Sequence, residues 1–453
     1  MRKKVSLIVK STKKNNKNKS NKSSKYVTLV EVTIVKKGNK LFDILDNLCF
    51  LSKNVYNSAL YLIRQSFFDN NSNCLSYEQV NSTFIKEKNV DYYALPTKVS
   101  QQSIKLASSE FKSFFGNLKS KIANNENRKV NIPRYLDSTT GRQTILYTNQ
   151  AVSVKKLKAE GYYTLSQVTD TNGELIKFKT KVTNIQFVRI AHCGNHIRIE
   201  VGYRSFKKSP KITENIAAID IGVNNLATLT TNFDRPIIFN GKPLKYINYQ
   251  YNKTIAKCQS SNSCCNNIKD NKWTDHMHDL SDLRSNKITD YLHKTSLMIV
   301  NYLVSNQVSV LVIGQNKGWK QNTNMTKQNN QNFVQIPFAR FIQMLTYKCA
   351  IYGIEVFTIK EDHTSKCSFI DNEPIHHHEH YVGRRINRNL FKTSTGIVIN
   401  ADVNGSYNIM KRWCESNNNT HYLKFTKNFV CQNPAKVTLR LSGIKCDIKE
   451  YIK

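Results

Sequence analysis

AAIDIGVNNLATL, residues 217–229, is the stretch on which the reading of the chain turns. With Ile216 it opens as an apolar run, Ile216 to Ile221, which reads as a buried strand. One acid, Asp220, interrupts the run, and the pattern breaks at Gly222 into Asn224 and Asn225. A carboxylate inside a buried apolar strand costs on the order of several kcal/mol unless it is paired or holds a metal. Two readings of Asp220 therefore stand side by side: a metal ligand, or a strand-end acid that caps a turn.

The segments that follow give Asp220 its setting. RPIIFNG suggests a second strand, and KPLKYINYQY the entry into a helix. Residues 253–285 are polar, and the adjacent Cys264 and Cys265 near Cys258 lack the spacing of a zinc site. Ile288 to Leu303 has helical periodicity, and VSVLVI (308–313) reads as a buried strand ending at Gly314–Gln315. A polar loop, 318–333, leads to a helix from Pro337 that Gly353 ends. IEVFTI (354–359) is the next strand and runs into Lys360, Glu361, Asp362 and His363. Ala401 to Trp413 is helical, with Val403, Tyr407 and Met410 inward and Asp402 in the first turn. Alternating strands and helices, with acids at strand ends and at a helix start, describe an α/β layer fold whose site lies at the carboxyl ends of the strands.

Upstream the patterning differs. Residues 1–26 carry ten Lys/Arg and no Asp/Glu, and read as a disordered basic arm. Tyr26 to Lys36 alternates as a strand. Leu41, Leu45, Leu48, Leu51, Val55, Ala59 and Leu62 then recur at helical spacing, and a second helix follows Pro96. NIPRY (131–135), TILYT (144–148), YYTLSQV (162–168), IQFVRIA (185–191) and HIRIEVGYR (196–204) read as strands of a small β-barrel. The expected organisation is a basic arm over 1–26, a barrel from 27–39 and 128–210, an inserted helical unit over 40–127, an α/β unit over 211–413, and a tail over 414–453.

The totals favour a polyanionic partner. Net charge is +36 over 453 residues, an excess that points to nucleic acid, with a membrane surface as the alternative. No apolar run approaches the roughly 18–20 residues of a spanning helix, and VSLIV (5–9) is too short for a secretory signal. The expectation is a soluble intracellular protein, nuclear in a eukaryotic or viral setting and otherwise cytoplasmic. Its eleven cysteines include no CxxC and read as free thiols.

Cleavage of a phosphodiester by metal ions needs hard oxygen ligands that converge from different elements. Asp220, Glu361 and Asp402 are the candidates. IDIGVNNLATL, VLVIGQNKGWK and INADVNGSYNIMKR, in that order, resemble the three RuvC motifs of the TnpB (OrfB-type) transposon proteins, whose relatives include Fanzor proteins and type V CRISPR effector nucleases. HTSKCSFIDNEPI, YVGRRINRNLF, LCFLSKNVYNSALYLIRQSFF and IPRY resemble flanking parts of that family, so that the resemblance covers roughly 27–413. It implies an α/β RNase H-like (RuvC) nuclease domain preceded by a barrel with a helical insert. It also implies an RNA-guided DNA endonuclease, with guide RNA and target DNA as partners and two Mg²⁺ ions as cofactors held by Asp220, Glu361 and Asp402. The alternative is a catalytically inactive RNA-guided DNA-binding protein that regulates transposition.

Two departures from the family pattern bear on this. Most relatives carry the catalytic Glu directly after the second-motif strand, where this chain has Gly314 and Gln315. Some branches supply a Glu about 45 residues downstream, and Glu361 stands 46 residues after Gln315. Neighbouring strands lie about 4.8 Å apart, so a Glu beyond Ile359 reaches a metal served by the strand ending at Ile313 if the two strands pair. Asp362 is the reserve candidate, on the opposite face. Second, the family's four-cysteine zinc knuckle is reduced here to Cys367, with His363, His376, His377, His378 and His380 nearby. A Cys/His zinc site and a knuckle held by other contacts are both open. Arg384, Arg385, Arg388 and Lys392 form a basic cluster suited to phosphates or to a solvated face. Trp319 and Lys320 suit either packing or a displaced strand.

Overall fold

The computed structural model describes residues 25–69, 74–266, 273–315, 327–423 and 434–439. Residues 1–24 of the basic arm, most of the expected tail, Trp319, Lys320 and the side chains of Cys264 and Cys265 lie outside the described residues.

The first half runs β1 (Tyr26–Lys36), α1 (Lys40–Asp69), α2 (Tyr77–Lys86), α3 (Val90–Tyr93), α4 (Thr97–Ala123), β2 (Ile145–Thr148), β3 (Val152–Ser153), α5 (Leu157–Glu160), β4 (Tyr162–Leu165), β5 (Phe178–Lys179), β6 (Ile185–His192) and β7 (His196–Phe206). Strands pair as an antiparallel sheet, β1-β7-β6-β2, and a smaller sheet, β3-β4-β5. Among the described residues no ladder joins β1 to β2. The helical stripe read from sequence is buried: Leu45, Val55 and Ala59 of α1 and Ile104, Ala107 and Phe111 of α4 share one core with Ile145, Val188, Ile197 and Ile199 of the sheet.

NIPRY is not a strand. Its backbone and the residues after it are held by side chains of α1 instead. Arg64 donates to Pro133 O at 2.9 Å, Lys53 to Ser138 O at 2.6 Å, and Asn57 makes a paired donor and acceptor contact with the Leu136 backbone at 2.9 and 3.0 Å. An extended segment whose polar groups are satisfied this way needs no ladder.

The second half runs β8 (Ile216–Asp220), β9 (Asn225–Thr231), β10 (Ile237–Asn240), α6 (Lys242–Asn266), α7 (Asp275–Ser305), β11 (Val310–Gly314), α8 (Lys327–Gln335), α9 (Phe338–Ile351), β12 (Glu355–Ile359), β13 (Arg384–Arg385), β14 (Leu390–Lys392), β15 (Val398–Asn400), α10 (Ala401–Ser416) and β16 (Ala435–Val437). The main sheet has the order β12-β11-β8-β9-β10-β16. β8, β9 and β10 form an antiparallel meander, β11 and β12 run parallel to β8, and β16 runs parallel to β10. Three meandering strands followed by two parallel ones on the side of the first make the RNase H-like arrangement. Helix α7 begins at Asp275, well before Ile288, and α6 extends through much of the polar stretch. Thr274 caps α7 by accepting from Met277 N. Apart from Met277 the first turns of α7 bury no side chain, so this part carries no apolar stripe to read. Among the described residues no helix is long and apolar enough to cross a membrane.

The two faces of this sheet follow the two-residue period of its strands. Ala217, Ile219, Leu311 and Ile313 pack with Leu292, Ile299 and Leu303 of α7 and with Phe341 and Leu345 of α9. Ile216, Ala218, Val310 and Val312 pack on the other face with Ile409, Met410 and Trp413 of α10. Gly353 (φ +76°) closes the α9 turn, in a position where a Cβ would overlap Ser209 O.

Candidate active site

Extending the alternation of each strand by one step builds the site. On β8 the series Ile216, Ala218 continues to Asp220, and on β11 the series Val310, Val312 continues to Gly314, so both residues sit on the α10 face. On β12, Phe357 packs against Trp413 of α10 at 5.3 Å between ring centroids. The same alternation carries 359 and then Glu361 to that face. Helix α10 supplies Asp402 from its first turn, where Asn400 caps the helix by accepting from Asp402 N at 3.0 Å and Val403 N at 3.2 Å.

Two glycines make the convergence possible. A Cβ at Gly405 would lie 2.8 Å from Asp220 Oδ2, so glycine lets α10 close directly over the Asp220 carboxylate. A Cβ at Gly314 would overlap Glu361 Oε1 and Ile409 Cδ1. The Glu361 carboxylate therefore fills the room in front of Gly314. The pairing that permits this is the one expected: β11 and β12 are parallel neighbours with Gly314 opposite Ile359, and Gln315 N donates to Ile359 O at 2.8 Å. Ser406 fastens the helix in place, its Oγ lying 3.2 Å from Ala218 O, 3.0 Å from Thr228 O and 2.8 Å from Thr230 Oγ1.

The electrostatics follow from that packing. Burial and the nearby Glu361 and Asp402 carboxylates push the Asp220 carboxyl well above its ordinary range. Burial, with a contribution from Asp362, pushes Glu361 up to about 7. Among the described residues, Arg385 Nη2 lies 3.5 Å from Asp402 Oδ1, while Asn225 Nδ2 donates to Asp402 Oδ2 at 2.6 Å. Converging hard oxygen donors short of compensating charge suit a divalent cation. The backbone oxygen of Asp362 accepts from Arg412 Nη1 at 2.7 Å.

The basic cluster divides. Arg385 lies opposite the buried Phe391 in the β13–β14 ladder and reaches Asp402. Arg384 lies directly opposite Lys392, a like-charged pair that disfavours the ladder unless an anion joins it. Arg388 is exposed near the turn between the two strands.

Cys367, Glu373 and His378 form a separate group whose ligand atoms all lie within 4.8 Å of one another. They supply three of the four donors of a closed zinc site, and among the described residues His363, His376, His377 and His380 do not join them. Both Glu373 oxygens also accept backbone hydrogen bonds, from Ser368 N at 2.6 Å and Val382 N at 3.0 Å. The loop is further held by α10: Asn404 Nδ2 donates to Cys367 O, Asn408 Nδ2 to Thr364 O and Cys367 O, and Lys411 Nζ to Glu373 O. These hydrogen bonds fix the loop around the Cys367, Glu373 and His378 group.

Sequence reasoning missed Asn225 as the partner of Asp402 and Gly314 as the space Glu361 occupies. The signal for Asn225 was its place at the start of β9, across the turn from Asp220. The signal for Gly314 was a glycine where the alternation calls for an inward side chain.

With this geometry in view, an RNase H-like sheet bearing three carboxylates has the architecture of a nuclease-type domain, and the comparisons narrow the class. A family described as a probable transposase, OrfB_IS605, matches residues 196–320, and the Cas12f1-like TNB domain matches residues 338–409. The TnpB-like protein ORF457 of Acidianus two-tailed virus is 23% identical over 238 residues, covering 48% of this chain and 49% of that protein. The match thus spans about half the length of this curated relative. A Cas12f1–sgRNA–target DNA complex is similar with a TM-score of 0.49 and 12% identity, over 82% of each chain. The mini-RNA-guided endonuclease CRISPR-Cas_phi3 is similar with a TM-score of 0.40 and 11% identity, over 85% of this chain and 92% of that one. The two family models, on separate parts of the chain, and the curated viral relative together support a TnpB-type protein.

Proposed function

We propose that this protein is an RNA-guided DNA endonuclease of a mobile element, and that Asp220, Glu361 and Asp402 hold two Mg²⁺ ions at its RuvC-like site. The observation that carries the reading is the Glu361 carboxylate in the space before Gly314, beside the Asp220 strand and under α10. It supports a complete set of three acids although the second-motif position has none. Bound divalent ions would activate the attacking water and stabilise the leaving oxygen. The chain's own residues set the geometry: Gly405 and Ser406 hold α10 against the sheet, and Asn225 orients the Asp402 carboxylate. Arg385 sits where it can pass from Asp402 to a substrate phosphate. Arg384 and Lys392, with Arg388 nearby, form a phosphate-contacting surface on the far side of the same hairpin. The first half, 27–210 with its helical insert over 40–127, is the unit that holds the guide RNA and its duplex with target DNA, in keeping with a net charge of +36.

The test is cleavage of a target plasmid by the full chain co-purified with its RNA, with Mg²⁺, before and after RNase treatment. Cleavage that RNase abolishes, and that Asp220→Asn and Glu361→Gln each abolish, is the expected result. RNase-resistant cleavage would make the enzyme unguided. RNA binding without cleavage under any condition would make it an inactive RNA-guided binder.

A further inference from the structure

Away from the carboxylates, α6 and α7 enclose a cleft of about 310 Å³, within the size range of small-ligand sites. Tyr246, Gln250 and Tyr251 line it from α6, and Leu283, Arg284 and Lys287 from α7. No lining residue is acidic. Tyr246 is 60% exposed, an aromatic face open to solvent at the mouth.

Arg284 is the unusual member. Its guanidinium lies over the Tyr251 ring at 5.0 Å, and its Nε donates to the Oδ1 of the fully buried Asn248 at 2.7 Å. Nη2 reaches Gln335 O at 3.3 Å. Among the described residues it forms no salt bridge. A planar cation is therefore oriented, stacked on an aromatic ring and left without a counter-charge beside an apolar cleft. Arg held this way presents donors in a fixed fork, which suits an acceptor-rich planar edge, while the tyrosines offer faces for stacking.

Helix α6 is tied to the β8–β9 turn. Lys245, next to Tyr246, donates to Asn224 Oδ1 at 3.0 Å, and the following residue, Asn225, donates to Asp402.

We propose that the α6–α7 cleft holds an unstacked base of single-stranded nucleic acid. The base stacks on Tyr246 or Tyr251 and is hydrogen-bonded on its edge by Arg284, with Lys287 at the phosphate. Stacking on aromatic side chains with cationic support is the general physics of single-strand binding, and an unpaired base alone exposes both its face and its edge. The identification of the strand rests on the function proposed above; the base site itself does not.

The test uses the full chain with its bound RNA in metal-free buffer, so that cleavage does not enter. The probe is a single-stranded DNA oligonucleotide carrying a fluorescent adenine analogue whose emission falls on stacking. Tyr246→Ala, Tyr251→Ala and Arg284→Gln are expected to lose the quenching and to weaken binding roughly 5- to 150-fold, whereas Tyr251→Phe keeps both. A second arm measures salt-dependent retention of the co-purified RNA. Loss confined to the DNA arm assigns the site to the DNA strand, and loss confined to the RNA arm assigns it to the guide. Wild-type behaviour of the alanine variants in both arms, with unchanged thermal unfolding, overturns the proposal. Because the readout is binding, failure here leaves the cleavage test untouched, and failure of that test leaves this one standing.

Discussion

The two larger sheets of this protein each gather acid, and they treat it in opposite ways. In the first, Glu200 of β7 is 5% exposed and lies between Arg189 and Arg198, both of which pair with it. Its charge is answered inside its own sheet. In the second, Asp220, Glu361 and Asp402 are brought together with one guanidinium at 3.5 Å from one of them. Glu200 is a structural acid with its counter-charges beside it; Asp220, Glu361 and Asp402 are the set proposed above to hold metal ions.

The largest effect expected from breaking this contrast is on chemistry. Asp220→Asn should lower Mg²⁺-dependent plasmid cleavage by about 10³-fold or more, on the scale of losing a group that stabilises charge in the transition state. The same change should raise the unfolding temperature of the metal-free protein at pH 8, since a neutral amide relieves the repulsion.

A pH titration of metal-free stability comes next. Glu361 holds its proton up to about 7 in the folded chain, against an ordinary value of 4.5. Between those values the folded state binds more protons than the unfolded one. The contribution is therefore fully present below pH 4.5 and is lost as the pH rises through about 7, at most about 3 kcal/mol. Thermal unfolding from pH 4.5 to 8 should show the decline, Glu361→Gln should make it shallower by removing the Glu361 share and leaving that of Asp220, and Mg²⁺ should offset it at the alkaline end.

Glu200→Ala should act on the other side of the comparison. It leaves two arginines facing each other, and because both are nearly half exposed water screens them, so a loss of about 2 kcal/mol in urea unfolding is expected. Cleavage per folded molecule should not change. The smallest effect is at Asn225→Ala, which removes an orienting hydrogen bond from Asp402; about a tenfold fall in cleavage rate is expected, the low end for partners of metal ligands, with little change in stability.

The site was legible where a two-residue period ran through a strand. That period put Asp220 on the α10 face, and strand adjacency put Glu361 within reach of it. It was not legible where contacts are made by single polar side chains. Asn225, Ser406 and the Asn404–Asn408 pair on α10 leave no periodic trace in the sequence. The fold was read less well wherever an element lacks an apolar stripe. The first turns of α7 were not read as helix within the polar stretch 253–285 because they bury little, and NIPRY read as strand although its Pro133 oxygen is held by Arg64 of α1 rather than by a ladder. The basic cluster was found as a set, but the ladder register that splits Arg385 from Arg384 and Lys392 exists only in three dimensions.

The overlap between a side chain at Gly314 and the Glu361 carboxylate has a consequence for how such chains change over time. In front of Gly314 lies a seat for one carboxylate, which a side chain at 314 or at 361 can reach. Filling both crowds the seat, at a cost of about 1–3 kcal/mol for an overpacked core, and filling neither leaves it empty. A lineage that moves the acid from one strand to the next must therefore cross a less fit intermediate. With glycine at 314 and glutamate at 361, this chain fills that seat once.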